Sequence, residues 1–360
     1  MDGLEIAYRR LHGQHLSGPP LPDPVAVVRH FGAMQAQEYP IAKWSVGQRT
    51  EGFDDAAIQR LVDRGAIVRT HALRPTWHFV AAADLGWIQA LTGPRVHVFN
   101  GYYYRQHGLD DELAAKTSAV LADALRGGNH LTRTELADVL ARAGLPATGN
   151  RLAYVVMRAE LDGLVVNGAM RGRQHTYALA SERIPDPVTL DPDEALAELT
   201  RRYLASHGPA TIKDFAWWSS LTVAQVKRGL SLLGSAVESA EVAGLRYWFV
   251  PGPAPVRDRS PAVHVLQAYD EYVVAFTEGR AVTNLAGRQI GAPNENMSIH
   301  PLVMDSQLAG YWRRLVERGG ITAGLTLAIR PTAAQRRAVE AAFARYAAFA
   351  GVPVTVAWPV

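Results

Sequence analysis

Leu131–Gly144, LTRTELADVLARAG, decides how the chain is read, because its first residues spell out a helix start. Thr132 and Glu135 stand in capping-box spacing: the threonine oxygen accepts from a free amide of the first turn, and the carboxylate reaches back to the cap. Thr148 is a second cap, opening a helix over GNRLAYVVMRAELDG (149–163). The strand-like LVVNGA (164–169), the turn MRGRQ (170–174) and the strand HTYALA (175–180) follow. Helix, turn, helix and two-stranded hairpin is the order of a winged helix, a relative of the helix-turn-helix that lays a helix in a DNA groove.

Working outward, the same order occurs three times. Downstream, ATIKDFAWW (210–218) places Thr211 and Asp214 in the same spacing, Thr222 opens VAQVKRGLSLLG (223–234), and AVESAEVAGLRYWFVP (236–251) supplies the hairpin. Upstream the copy is looser. Asp23 and Pro24 serve as cap and first helical residue for VAVVRHFGAMQAQ (25–37), Asp54 opens DAAIQRLVDRG (55–65), and AIVRTH, a turn at ALRP, and TWHFV follow. Gly65, Gly163 and Gly234 end the second helix of each copy before an apolar strand, as a left-handed cap requires. After Pro255 the character changes to a strand-like AVHVLQAYDEYVVAF, a polar TEGRAVTNLAGRQIGAPNENM, and a helix capped by Thr332 that leads into VPVTVAWPV. The predicted fold is therefore α+β: three tandem winged helix-turn-helix domains over 1–105, 106–185 and 186–256, and a small C-terminal α+β element with a polar hairpin over 257–360.

Composition narrows the chemistry. The 360 residues include no cysteine, which removes disulfides, thiolate clusters and cysteine zinc sites and leaves oxygen and nitrogen groups to do any work. No stretch offers the ~20 apolar residues of a membrane span, and the N-terminus has no apolar signal core, so a cytoplasmic protein, nucleoid-associated when on DNA, is expected. The net charge is only +3, but the pI is near 9.1 and the four lysines leave the basic side to arginine. The wing turns carry Arg69 and Arg74, Arg171 and Arg173, and Arg246; basic residues in equivalent turns suit phosphate positioning.

The first copy contains an oddity. The spacing of AMQAQEYP (33–40) predicts the end of an amphipathic helix with two uncharged amides, Gln35 and Gln37. Two residues apart on a regular helix they point roughly 200° apart, and Pro40 predicts a helix end near Tyr39. Here the residues support a resemblance. Gln35-Ala36-Gln37 matches the glutamine, apolar, glutamine motif of the AlkZ-like bacterial DNA glycosylases, and KWSVGQR (43–49), RPTWHFV (74–80), LTGPRV (91–96) and AYDEYVVAF (268–276) extend the resemblance over nearly the whole chain. In a sister branch of that family the second glutamine is aspartate. Gln37 places this sequence with the branch that protects producers of DNA-alkylating antibiotics.

The resemblance implies a C-shaped arrangement of the winged helices around double-stranded DNA, glutamines in the cleft and a β-hairpin approaching the minor groove. It implies a monofunctional glycosylase, a monomer with no cofactor or metal, that removes bulky or crosslinked N7-alkylated guanine. Glutamine has no useful proton equilibrium and only orients a water with its amide. That suffices where the leaving base already carries a positive charge. The DNA-facing set expected from motifs and wings is Lys43, Arg49, Arg69, Arg74, His78, Arg171, Arg173 and Arg246, with Arg280 and Arg288 on TEGRAVTNLAGRQ as the hairpin residues. Lys43 is also the one lysine near the motif able to attack the sugar, and Glu38 the adjacent carboxylate. Asp270 and Glu271 are expected to be structural, since they lie in another domain from the glutamines. The alternative from another class is a winged-helix transcriptional regulator, which would bind intact duplex and be indifferent to Gln35→Ala.

Overall fold

The computed structural model describes residues 1–256, 260–288 and 299–359. After α1 (Gly3–Gly13), each of three segments runs helix, short strand, helix, helix, hairpin. The first comprises α2 (Pro24–Phe31), β1 (Met34–Gln35), α3 (Tyr39–Gly47), α4 (Asp55–Asp63), β2 (Ile67–Ala72) and β3 (Arg74–Ala81), with sheet order β1-β3-β2. The long α5 (Leu85–Gln106) leads to the second: α6 (Asp111–Leu125), β4 (Leu131–Thr132), α7 (Arg133–Arg142), α8 (Gly149–Leu161), β5 (Val165–Asn167) and β6 (Thr176–Leu179), with order β4-β6-β5. Beyond α9 (Ala180–Arg183), the third has α10 (Pro192–His207), α11 (Ile212–Ser219), α12 (Val223–Leu233), β7 (Glu238–Val242) and β8 (Leu245–Phe249). Its first strand is reduced to one antiparallel bridge, Ala210 with Trp248.

The capping boxes at Thr132, Thr211 and Thr222 form as their spacing predicts. Thr148 occupies its cap position without a side-chain bond. The first copy departs most from expectation. The helix from Pro24 stops at Phe31, because Gly32 turns the chain at φ 78°, and the Gln-x-Gln segment that follows starts in a short strand at Gln35 and bends at Gln37. Pro40 starts a helix instead of ending one: it lies in the first turn of α3, where a missing N–H costs nothing. The counterpart of α7 is therefore α3, and α2 corresponds to α6.

Past β9 (Val263–Val265) and α13 (Glu271–Val274), the chain forms β10 (His300–Met304), β11 (Gln307–Glu317), β12 (Gly320–Leu327), α14 (Ala333–Ala350) and β13 (Val354–Ala357). They build a five-stranded sheet, β13-β12-β11-β10-β9, antiparallel except for the β12–β13 pair. This sheet and α14 do not stand apart. Trp312, Phe343, Tyr346 and Phe349 share one buried core with Phe31, Met34, Ile41 and Trp44 of the first winged helix. Phe349 lies so close over Gly47 that any Cβ there would collide with the ring. A second core joins the first hairpin through Val68 and Val80 to Leu199, Tyr203 and Trp218 of the third copy, and the second copy closes a core of its own around Leu121, Leu136, Val155 and Leu179.

The polar stretch after Thr277 corrects another expectation. Glu278–Asn284 is a 3-10 helix, not the arm of a hairpin, and residues 289–298 lie outside the described residues. A long hairpin exists elsewhere, β11–β12, in a segment to which the sequence assigns no element. Its turn region carries exposed Leu315 and Val316. Among the described residues no helix is long and apolar enough to cross a membrane.

Candidate active site and nucleic-acid interface

Pairing with β3 sets the geometry of the two glutamines. Gln35 pairs in register with His78 of β3, and the next residue, Ala36, donates its N–H to the carbonyl of Trp77 at 2.8 Å. Gln37 follows at a bend just past the strand. Both glutamines bond to neighbouring residues of β3: Gln35 Nε2 donates to Thr76 Oγ1 at 2.9 Å, and Gln37 Oε1 accepts from the Trp77 N–H at 3.2 Å. They differ in burial. Gln35 is 5% exposed and its Oε1 has no partner among the described residues, whereas Gln37 is exposed.

The segment is held from three sides. Arg69 donates through Nε to the Ala36 carbonyl at 3.0 Å and through Nη2 to the Gln37 carbonyl at 3.4 Å, while lying over the Trp77 ring at 4.2 Å. Burial lowers its pKa to about 10, so it stays charged at neutral pH. Glu271 accepts the Gln35 N–H at 2.7 Å through Oε1, and through Oε2 the indole N–H of Trp218 at 2.8 Å; His207 Nε2 lies 3.2 Å from the same oxygen. Beside it, Asp270 and Arg49 form a doubly bonded ion pair, at 2.8 and 3.0 Å, with both side chains fully buried. Burial pushes the Asp270 carboxyl up, but the Arg49 charge and hydrogen bonds outweigh it and hold it below its ordinary value.

Several expectations change in consequence. Arg49 has no free face for a phosphate: its bonds go to Gln14, Ser45 and Asp270, tying α3 to the start of α13. Lys43 is buried and gives its ammonium to Asp55 at 2.7 Å and Gln59 at 3.0 Å, so it neither faces DNA nor stands ready to attack a sugar. Arg69 is 7% exposed and grips the motif's carbonyls. His78 is completely buried; its Nδ1 bonds to the Thr76 carbonyl at 2.8 Å, and burial, reinforced by the Arg74 charge, holds its pKa well below the ordinary value. Asp270 and Glu271 are structural, as expected, but not remote: Glu271 bonds to Gln35, and Asp270 anchors Ser45, Gln48 and Arg49. Arg74 is half-buried, with Nε and Nη2 lacking partners among the described residues, and lies 5.5 Å from the ring of the exposed Trp217.

Other candidates remain at the surface. Arg173 is exposed, and Arg171 is exposed while paired with Glu135 at 2.6 Å. Arg246, exposed, pairs across its hairpin with Glu241 at 2.8 Å. Arg280 is exposed on the 3-10 helix; half-buried Arg288 donates to the Leu308 carbonyl at 2.9 Å. Motif analysis missed Thr76, although it stands inside RPTWHFV, and the β11–β12 hairpin. A cavity of about 250 Å³, lined by Glu38, Pro40, Ile41, His300, Arg313, Arg314 and Leu315, brings that hairpin to the residues following Gln37.

With this geometry in place, comparisons become specific. A family model described as DNA glycosylase AlkZ-like matches residues 28–349. An interstrand DNA cross-link repair glycosylase of Streptomyces sahachiroi is 24% identical over 321 residues, covering 84% of this chain and 85% of that protein. The solved structure of the Streptomyces sahachiroi DNA glycosylase AlkZ is similar with a TM-score of 0.76, at 20% identity and over 99% of both chains.

Proposed function

The chain belongs to the AlkZ-like DNA glycosylase family, and we propose on that premise that it hydrolyses the N-glycosidic bond of N7-alkylated deoxyguanosine in double-stranded DNA. The observation that carries this reading is the pair of amides, Gln35 at the end of β1 and Gln37 at the bend after it, bonded to adjacent residues of β3, one exposed and one buried. Neither side chain exchanges protons near neutral pH. The substrate has to provide the activation, and an N7-alkylated guanine does so, because the base carries a full positive charge. The C1′–N9 bond breaks with its electron pair going to the base, which departs neutral. The water oxygen bonds to C1′, and the water's proton passes to solvent. The enzyme's share is proximity and fixed dipoles around an oxocarbenium-like sugar, effects each worth on the order of several kcal/mol.

A weak catalytic pair has little power over unmodified nucleotides, so selectivity comes largely from the lability of the lesion. Bulky or crosslinked adducts are admitted for the same reason, and protection against a DNA-alkylating natural product is the biological role that follows. Lys43, held by Asp55 and Gln59, supports a monofunctional enzyme without lyase activity. The phosphate contacts fall to the exposed arginines, Arg171, Arg173, Arg246 and Arg280. Exposed Leu315 and Val316 make β11–β12 the hairpin that approaches the minor groove, in place of residues 277–289.

The test is release of free base from a duplex bearing one N7-methylguanine. An abasic product supports the glycosylase; absence of product together with tight binding to undamaged duplex would point to a DNA-binding regulator.

A further inference from the structure

We propose that Gln35 acts through Thr76, and that the Thr76 hydroxyl, together with the Gln37 amide, holds the hydrolytic water; this rests on the glycosylase reading above. Gln35 is 5% exposed with its amide oxygen buried, so it offers no face to DNA. Its Nε2 is committed to Thr76 Oγ1 at 2.9 Å. A hydroxyl has one hydrogen and two lone pairs. Accepting from Gln35 uses one lone pair and fixes the direction of what is left.

Thr76 is gripped a second time. His78 Nδ1 lies 2.8 Å from the Thr76 carbonyl, and since a carbonyl only accepts, that nitrogen carries the hydrogen. Burial and the Arg74 charge keep the imidazole neutral. Side chain and backbone of Thr76 are thus both fixed by buried groups, while the residue itself is only half-buried. Next to it, the Trp77 N–H occupies Gln37 Oε1 at 3.2 Å and leaves the Gln37 amide hydrogens available on an exposed side chain. The remaining Thr76 lone pair accepts one hydrogen of a water, and Gln37 Nε2 donates to the water's oxygen. The oxygen keeps its second lone pair for C1′. The C1′–O bond forms, the C1′–N9 pair stays with the departing base, and the proton leaves to solvent. Gln35 is then a positioning residue, and Thr76 touches the reacting water.

The experiment is single-turnover excision at saturating enzyme, on a duplex with one N7-methylguanine, for Thr76→Val, Thr76→Ser, Gln35→Ala and the Thr76→Val/Gln35→Ala double variant, with Kd measured for each. Thr76→Val keeps shape and loses the hydroxyl; its rate is expected to fall about 10- to 100-fold with Kd little changed. Thr76→Ser should retain most of the rate. The double variant should be no slower than the worse single one, because one effect passes through the other. Thr76→Ala serves as a second hydroxyl deletion if valine disturbs folding, as judged by thermal melting. A Thr76→Val enzyme as fast as wild type beside a slow Gln35→Ala enzyme, or losses that multiply in the double variant, would overturn the proposal and leave the glycosylase standing. An inactive wild type would overturn both.

Discussion

The first and second winged helices follow one plan but close it differently. In the second, β4 runs straight into Thr132, and a complete capping box with Glu135 satisfies the start of α7 from within. In the first, β1 is followed by Ala36, Gln37 and Glu38, and α3 begins without a side-chain capping bond. Its polar groups are satisfied by residues distant in sequence: the Gln35 N–H by Glu271, 236 residues on, and the carbonyls of Ala36 and Gln37 by Arg69 of β2. A segment whose side chains must face a substrate gives up local closure and is fixed by the rest of the fold. That makes the first unit dependent on the C-terminal element at the glutamine segment, whereas the second caps its own α7.

The comparison is most easily broken at Arg49. Arg49→Ala strips the fully buried Asp270 of its ion-pair partner, a loss of about 3–5 kcal/mol that urea unfolding would read. An unchanged midpoint would contradict external anchoring. Gly47→Ala comes next: its methyl group meets the Phe349 ring, at an expected cost of about 1–3 kcal/mol, and Phe349→Leu should recover part of it. Thr132→Ala, which opens the second unit's own cap, should cost about 1 kcal/mol without changing base excision.

Acid sensitivity is a further expectation. His30, His264 and His300, around the first unit and the C-terminal sheet, are lowered by burial from 6.5 to about 4. The unfolded chain binds protons near pH 6.5 while the folded one resists until about 4, so stability declines as pH falls through that window. Hydrogen exchange at pH 5 against pH 7.5 should quicken around these histidines.

What the sequence made legible was local. Thr132, Thr211, Thr222 and Thr332 announce their helices because a capping box is complete within four residues. Gly65 and Gly163 take the positive φ their positions require. The glutamine motif was visible as a motif, but its conformation was not, since the apolar spacing before it continues a helix that Gly32 ends. Arginine is ambiguous without contacts: Arg49 and Arg69 look like Arg173 in sequence, yet two are structural and one is exposed. Glu271 was expected to be structural, but its contact with Gln35, and that of Thr76, were not legible because they join residues 236 and 41 positions apart.

The central claim is that the exposed glutamine is catalytic. Its most direct test is the single-turnover rate of base release by Gln37→Ala on an N7-methylguanine duplex at saturating enzyme, with Kd measured alongside. A fall of about 100-fold or more with binding nearly unchanged is expected. A variant that binds the duplex and excises the base at the wild-type rate would contradict it.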